Sequence, residues 1–179
     1  MIRELGDKRP RIAESAYIDP EATIVGDVAV RADASIWPGA VLRADGGQIV
    51  VEEEANVQDN AVFHADAPDE ETRLCLRATV GHGAVVHNAE VGERALVGMN
   101  AVVLDRAVLE DECVVAAGAV VTEAQTVESR QLVAGTPAKT VREDLPVDSD
   151  WFNSGEEYVE LAGSYANKAR CLDRNDVTE

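Results

Sequence analysis

Aliphatic residues recur every six positions along most of this chain. They fall at Ile18, Ile24, Val30, Ile36 and Leu42, resume at Val51, Val57 and Phe63, and return at Val85, Val91, Val97, Val103, Leu109, Val115 and Val121. Four residues after most of these stands a small side chain: Ala22, Ala34, Ala40, Ala55, Ala61, Ala89, Ala95, Ala101, Ala107, Cys113 and Ala119, with Val28 the bulkier exception. A period of six suits neither a helix nor a simple alternating strand. It suits a short strand and a tight corner, repeated, with both marked residues pointing inward and the second kept small by the narrow corner. Three such units close a triangular coil, and stacked coils make a parallel β-helix. The fifteen units predict about five coils.

The phase breaks twice. Leu42 to Val51 spans nine residues around "RADGGQ", and Phe63 to Thr79, the next in-phase position, spans sixteen around "HADAPDEETR". Insertions in a solenoid emerge as loops on one face, often the binding face. After Thr122 the repeat fades, and "VAGTPAKTVRED" reads as the chain leaving the solenoid. Tyr158, Leu161, Ala162, Tyr165 and Ala169 then form a helical stripe, and "SGEE" reads as a capping box with Ser154 as cap and Glu157 three residues on. The expected organisation is a hexapeptide-repeat β-helix over 1–145, then a helix over roughly 155–170 packed outside it, with 146–179 as a C-terminal helix and tail ending loosely in "CLDRNDVTE".

The formal net charge of −18 argues against nucleic acid as a partner, because phosphates need a basic surface. Such a surface repels itself in dilute salt and is screened in concentrated salt, so the chain reads as halophilic. No apolar run approaches a membrane span, and the N-terminal "MIRELGDKRPRIAESAYI" lacks a signal-peptide core, which predicts a cytoplasmic protein. Cys75, Cys113 and Cys171 are widely spaced, so they read as small hydrophobes rather than a disulfide framework or cysteine zinc site.

Only three histidines interrupt this plain scaffold: His64, His82 and His87. Imidazole is the commonest metal ligand, and three of them make an open catalytic zinc site. His82 and His87 are awkward partners within one chain. Five extended residues span about 16 Å, whereas two ligands of one ion have Cα atoms rarely more than ~12 Å apart. Sharing the ion between neighbouring chains solves this, with His64 and His87 from one, His82 from the next, and three-fold closure repeating the site. Three unrelated surface histidines fit the residues as well.

The chain resembles the gamma-class carbonic anhydrase family of left-handed β-helix proteins across essentially its full length. The resemblance is carried by "LRAD" (Arg43, Asp45), "NVQDNAVFH" (Asn56, Gln58, Asp59, His64), "GHGAVVH" (His82, His87) and "VAGTPAK". It implies a homotrimer in which the three histidines bind zinc, or iron(II) or cobalt(II), at each interface, with His82 given by the neighbouring subunit. It implies that Gln58 holds the metal-bound water or hydroxide. Arg43 and Asp59 would pair across the interface, with Asp45 and Asn56 helping to position them, which serves trimer registration more than chemistry. Tyr165 and Asn167 of "SYAN" match a pair that orients substrate in the best-studied branch. Packing of Tyr165 on the helix face accounts for it equally well.

Two departures bear on activity. The archetypal branch places a glutamate after the Arg-x-Asp motif and another on an acidic loop, both for proton transfer. Here Gly46 follows Asp45, and the loop after His64 offers only Asp66, Asp69, Glu70 and Glu71, which read as surface charge rather than shuttles. The implied function is reversible hydration of CO2 to bicarbonate by a zinc-dependent lyase of low activity. Two alternatives stand beside it. One is hexapeptide-type acyl transfer from a coenzyme A thioester, in which one histidine acts as general base. The other is a metal-binding trimer without chemistry.

Overall fold

The computed structural model describes residues 1–172 apart from position 69, so Asp69 and most of the "CLDRNDVTE" tail lie outside the described residues. The chain winds into a left-handed, three-sided parallel β-helix followed by one α-helix, Ser154–Lys168. One side is an eight-stranded sheet whose last strand, Lys139–Arg142, is antiparallel, leaving seven parallel rungs. The other two sides merge into a twelve-stranded sheet, because Thr23–Val30 and Val41–Val51 each run across a corner and pair on both faces.

The hexad positions explain the interior. Ile24, Ile36, Leu42, Val51, Val57, Phe63, Val91, Val97, Val103, Leu109, Val115 and Val121 are fully buried, as are or nearly are their small partners. The small residue follows a corner residue in the left-handed region, as in Asn60–Ala61 (φ +59°) and Asn100–Ala101 (φ +57°). That conformation turns the chain sharply, and the next Cβ points into the apex of the triangle, where little beyond a methyl group fits.

The coil is longer than the five turns expected. Val127 and Val133 are also buried in phase, and Ile12 packs against the first rung. The register also differs at two places. Val80 and Val86 face the core, not Thr79 and Val85: Val80 stacks on Val57, and Val86 on Phe63. The chain recovers phase at the corner carrying Asn88 (φ +43°), where Val86 to Val91 is one residue short of a hexad. After the last rung the chain does not simply leave. Leu132–Ala134 pairs with the antiparallel Lys139–Arg142, and Leu145 and Phe152 fold back to bury themselves against Val114.

The helix begins at Ser154, not 155, and the capping box does not form. Its N-cap is Asn153, already helical in conformation because the 3-10 turn Asp150–Phe152 runs straight into it. Ser154 therefore lacks the extended backbone a cap requires. The packed stripe is Tyr158 and Ala162, with Tyr165 at its edge: Trp37 receives Tyr158 and Tyr165 edge-on at centroid distances of 5.2 and 5.1 Å, while Tyr165 and Leu161 are both exposed. Arg77 ties down the helix start, bonding Glu54 at 2.7 Å and Glu156 at 3.1 Å. Among the described residues no helix is long and apolar enough to cross a membrane.

Candidate functional site

Arg43, His64 and His87 occupy equivalent places on three successive rungs. Alternation along each strand decides their direction. Leu42, Phe63 and Val86 point into the core, so the following residue points out. The two imidazoles meet edge to face, with centroids 4.9 Å apart and His64 Nδ1 only 3.1 Å from His87 Nε2.

Each ring has its other nitrogen on a carboxylate. His64 Nε2 lies 2.9 Å from Asp45 Oδ1, and His87 Nδ1 lies 3.2 Å from Asp105 Oδ1. A carboxylate accepts, so these nitrogens carry the protons and the two lone pairs converge on each other. With the rings in these tautomers, two lone pairs facing each other at this separation form a ready acceptor for a proton or a cation. Asp66 stands beside the gap, with Oδ2 3.8 Å from His87 Nε2, and donor atoms of His64, Asp66 and His87 all lie within 4.8 Å of one another. A divalent ion that takes nitrogen and oxygen ligands fits this donor set.

Asn88, buried at 4% exposure, organises the acidic side. Its Nδ2 donates to Asp66 Oδ1 at 2.9 Å and to Asp105 Oδ1 at 3.0 Å. These amide bonds are the largest influence on both carboxyls and hold them below the usual range. For Asp45, partial burial pushes upward, but the His64 bond and the Arg43 guanidinium outweigh it and its value is lowered. Sequence reading missed Asn88 and Asp105 altogether. The only signal was the five-residue spacing at that corner.

The remaining candidates form a second group. Asn56 and Gln58 are buried, linked by a 3.2 Å bond from Gln58 Nε2 to Asn56 Oδ1, and Asn56 donates to Thr79 Oγ1 at 2.8 Å. Asp59 sits 2.9 Å from Nδ1 of His82, whose ring is 46% exposed. Within one chain Arg43 pairs with Asp45 and Asp59 with His82, whereas the Arg43–Asp59 pair was expected between neighbouring chains. His82 is not among the donors gathered at His64 and His87. Tyr165 lies in the aromatic stack on Trp37, and Asn167 donates to the Gly163 carbonyl at 2.7 Å, so within one chain neither stands beside the imidazole pair.

The pattern of the bacterial transferase hexapeptide family (six repeats) matches residues 88–123. The carnitine operon protein CaiE of Escherichia fergusonii is 39% identical over 155 residues, covering 86% of this chain and 79% of the relative. A hexapeptide transferase family protein from Anaplasma phagocytophilum superposes with a TM-score of 0.82 at 38% identity, over 87% of this chain and 92% of that one. A putative acetyltransferase from Bacillus cereus superposes with a TM-score of 0.86 at 33% identity, over 90% and 94%.

Proposed function

The chain belongs to the bacterial hexapeptide-repeat transferase family, and from that membership we propose that it is an acyl-transfer enzyme whose His64–His87 pair takes the proton from an attacking nucleophile. The observation that carries this is the convergence of the two carboxylate-held imidazoles at 3.1 Å. The pair accepts one proton from an acceptor hydroxyl or amine and holds it between the two nitrogens, while Asp45, Asp66 and Asp105 balance the charge. The acceptor then attacks the carbonyl carbon of a coenzyme A thioester, the carbon–sulfur bond breaks, and the departing thiolate recovers the proton. The similarity to a transferase-family protein and a putative acetyltransferase favours this reading over CO2 hydration. Thioester consumption measured at 232 nm with short acyl-CoA donors and a panel of small alcohols and amines tests it. Loss of consumption in His64→Ala and His87→Ala is expected, and equal rates in wild type and His87→Ala would sink the proposal.

A second reading is favoured by the donor set itself. A general base needs one imidazole, whereas here two lone pairs converge beside a carboxylate. In this reading His64 and His87, with His82 of the partner subunit, hold a zinc, iron(II) or cobalt(II) ion that supplies Lewis acidity for hydration of CO2. Gln58 then hydrogen-bonds the attacking oxygen, and Asp59 fixes the His82 ring through Nδ1. A homotrimer is part of this proposal. The outward valines Val62, Val85, Val102 and Val120, in register beside the histidines and only partly covered, give the face an apolar strip for a second copy. Stopped-flow hydration of CO2 by zinc-loaded protein decides it, with no advantage of wild type over His87→Ala as the opposing result.

A further inference from the structure

The carboxylate that holds His64 stands on the least supported backbone of its strand. Val41–Val51 is paired with neighbouring rungs as far as Ala44 and again from Gln48, but Asp45, Gly46 and Gly47 have no partner in any of its ladders. Two glycines in succession leave this stretch freer than any other part of the strand. Both are required, since a Cβ on Gly46 would lie 1.8 Å from the Asp66 carbonyl oxygen, and one on Gly47 would lie 2.2 Å from that of Glu70. Lys8 supplies what the ladders do not: its Nζ donates to the Asp45 carbonyl at 2.9 Å and to the Gly46 carbonyl beside it. Lys8 is itself fixed. The Leu5–Lys8 turn closes on itself with bonds of 2.9 and 3.1 Å, and the strands before and after it, Ile2–Arg3 and Arg11–Ile12, both pair with Thr23–Val30. A compact ammonium with three donors suits two adjacent carbonyls better than a planar guanidinium would. Asp27, Glu70 and Glu71 line the same hollow of about 350 Å³ and favour a positive charge there.

We infer that Lys8 is a positioning residue for the imidazole pair: by binding the backbone of Asp45 and Gly46 it keeps the Asp45 carboxylate on His64 and thereby decides which His64 nitrogen carries the proton. The inference rests on the acyl-transfer reading above, in which that pair is the working base. Asp45 Oδ1 accepts from His64 Nε2 at 2.9 Å, and the bond made by one ring nitrogen fixes the state of the other. The same carboxylate also pairs with the Arg43 guanidinium, so it has an alternative partner on the neighbouring rung. Without Lys8, the glycine-rich stretch is free to turn, and the carboxylate follows Arg43 away from the ring. The His64 proton then moves to Nδ1. That is the atom 3.1 Å from His87 Nε2, so the lone pair that receives the nucleophile's proton is lost. His87 has its own carboxylate, Asp105, and is untouched by this change.

Imidazole nitrogen chemical shifts, read at one pH with a chelator present, test this on the full chain, which has only His64, His82 and His87 to assign. Wild type should show His64 protonated on Nε2. Lys8→Ala should lose that preference and leave His87 unchanged, and Lys8→Met, which keeps an apolar stem in place, should do the same if Lys8→Ala fails to melt cooperatively. Adding n-propylammonium, the part of the side chain that Lys8→Ala removes, should restore the wild-type ring, whereas tetramethylammonium, a charge without an N–H, should not. Thioester turnover supplies the second readout: kcat should fall by up to roughly 100-fold with KM for the acyl-CoA unchanged. Adding Lys8→Ala to Asp45→Ala should cost nothing more, because the first residue acts through the second. A His64 ring that is unchanged in the Lys8 variants, or a change shared equally by His87, overturns the inference. If wild type consumes no thioester, the acyl-transfer reading fails, while the His64 ring still decides whether Lys8 positions it.

Discussion

A Cβ placed on Gly46 would lie 1.8 Å from the carbonyl oxygen of Asp66. The two loops that break the hexad phase touch here, and Lys8 Nζ reaches over to the Asp45 carbonyl at 2.9 Å and to that of Gly46. The position where the carbonic anhydrases that the sequence resembles carry a glutamate is therefore closed to any side chain. Gly46→Glu is expected to lower stability by about 1–3 kcal/mol through overpacking, with no gain in CO2 hydration. Chemical denaturation beside a hydration assay checks both parts, and a stable, faster variant would contradict them.

Asn88→Ala should destabilise the metal-free protein in a pH-dependent way. The amide lowers the Asp66 and Asp105 carboxyls in the folded state. A lowered folded value contributes stability that is fully present above the unfolded carboxyl range near 3.9 and is lost as pH falls through the folded value. The stability gap between wild type and Asn88→Ala should be widest above about pH 5 and should narrow below about pH 4. Urea unfolding across pH 3–7 in the presence of a chelator reads this directly. A gap that stays constant with pH would mean that Asn88 acts through packing alone.

Much of this fold is written in the chain, and the exceptions have identifiable causes. The hexad is legible wherever the corner forces a small residue, as at Ala95, Ala101 and Ala107. It fades at the last rungs because Gln125 and Gln131 occupy that place. There the coil end is open, and Gln125 Nε2 uses the room to reach the Ala138 carbonyl at 3.2 Å. The imidazole pair was legible as residue types but not as a contact. His64 and His87 are 23 residues apart, a separation set by a loop whose register the periodicity alone did not fix. Asp105 and Asn88 look like ordinary corner residues until the rungs are stacked.

Thiol reactivity distinguishes the three cysteines. The small-hydrophobe expectation holds for Cys113, fully buried, and in part for Cys75, but Cys171 is exposed. Burial pushes the Cys75 thiol up to about 11 and the Cys113 thiol up to about 12, keeping both protonated at neutral pH. Titration of native protein with a thiol reagent at pH 7.5 should label Cys171 rapidly and the other two only on unfolding. Peptide mapping that finds Cys75 or Cys113 labelled first would refute this.

Thermal stability should rise with salt. The chain carries 34 acidic side chains against 16 basic ones, and screening shortens from about 10 Å at 0.1 M to about 3 Å at 1 M. Melting midpoints in potassium chloride from 0.1 to 2 M are expected to climb steadily. Highest stability in dilute buffer would remove the halophilic reading.

A stack of parallel rungs ends in a row of unpaired backbone groups on which another such stack can grow. Lys139–Arg142 runs back across that row, wholly exposed and opposite in direction to the strands beneath it. On that side of the coil a newcomer meets a strand of the wrong polarity bearing Lys139 and Arg142, which disfavours end-on-end growth there. The same stroke that discourages growth at that edge leaves the flank, where the imidazoles wait, clear of the returning strand.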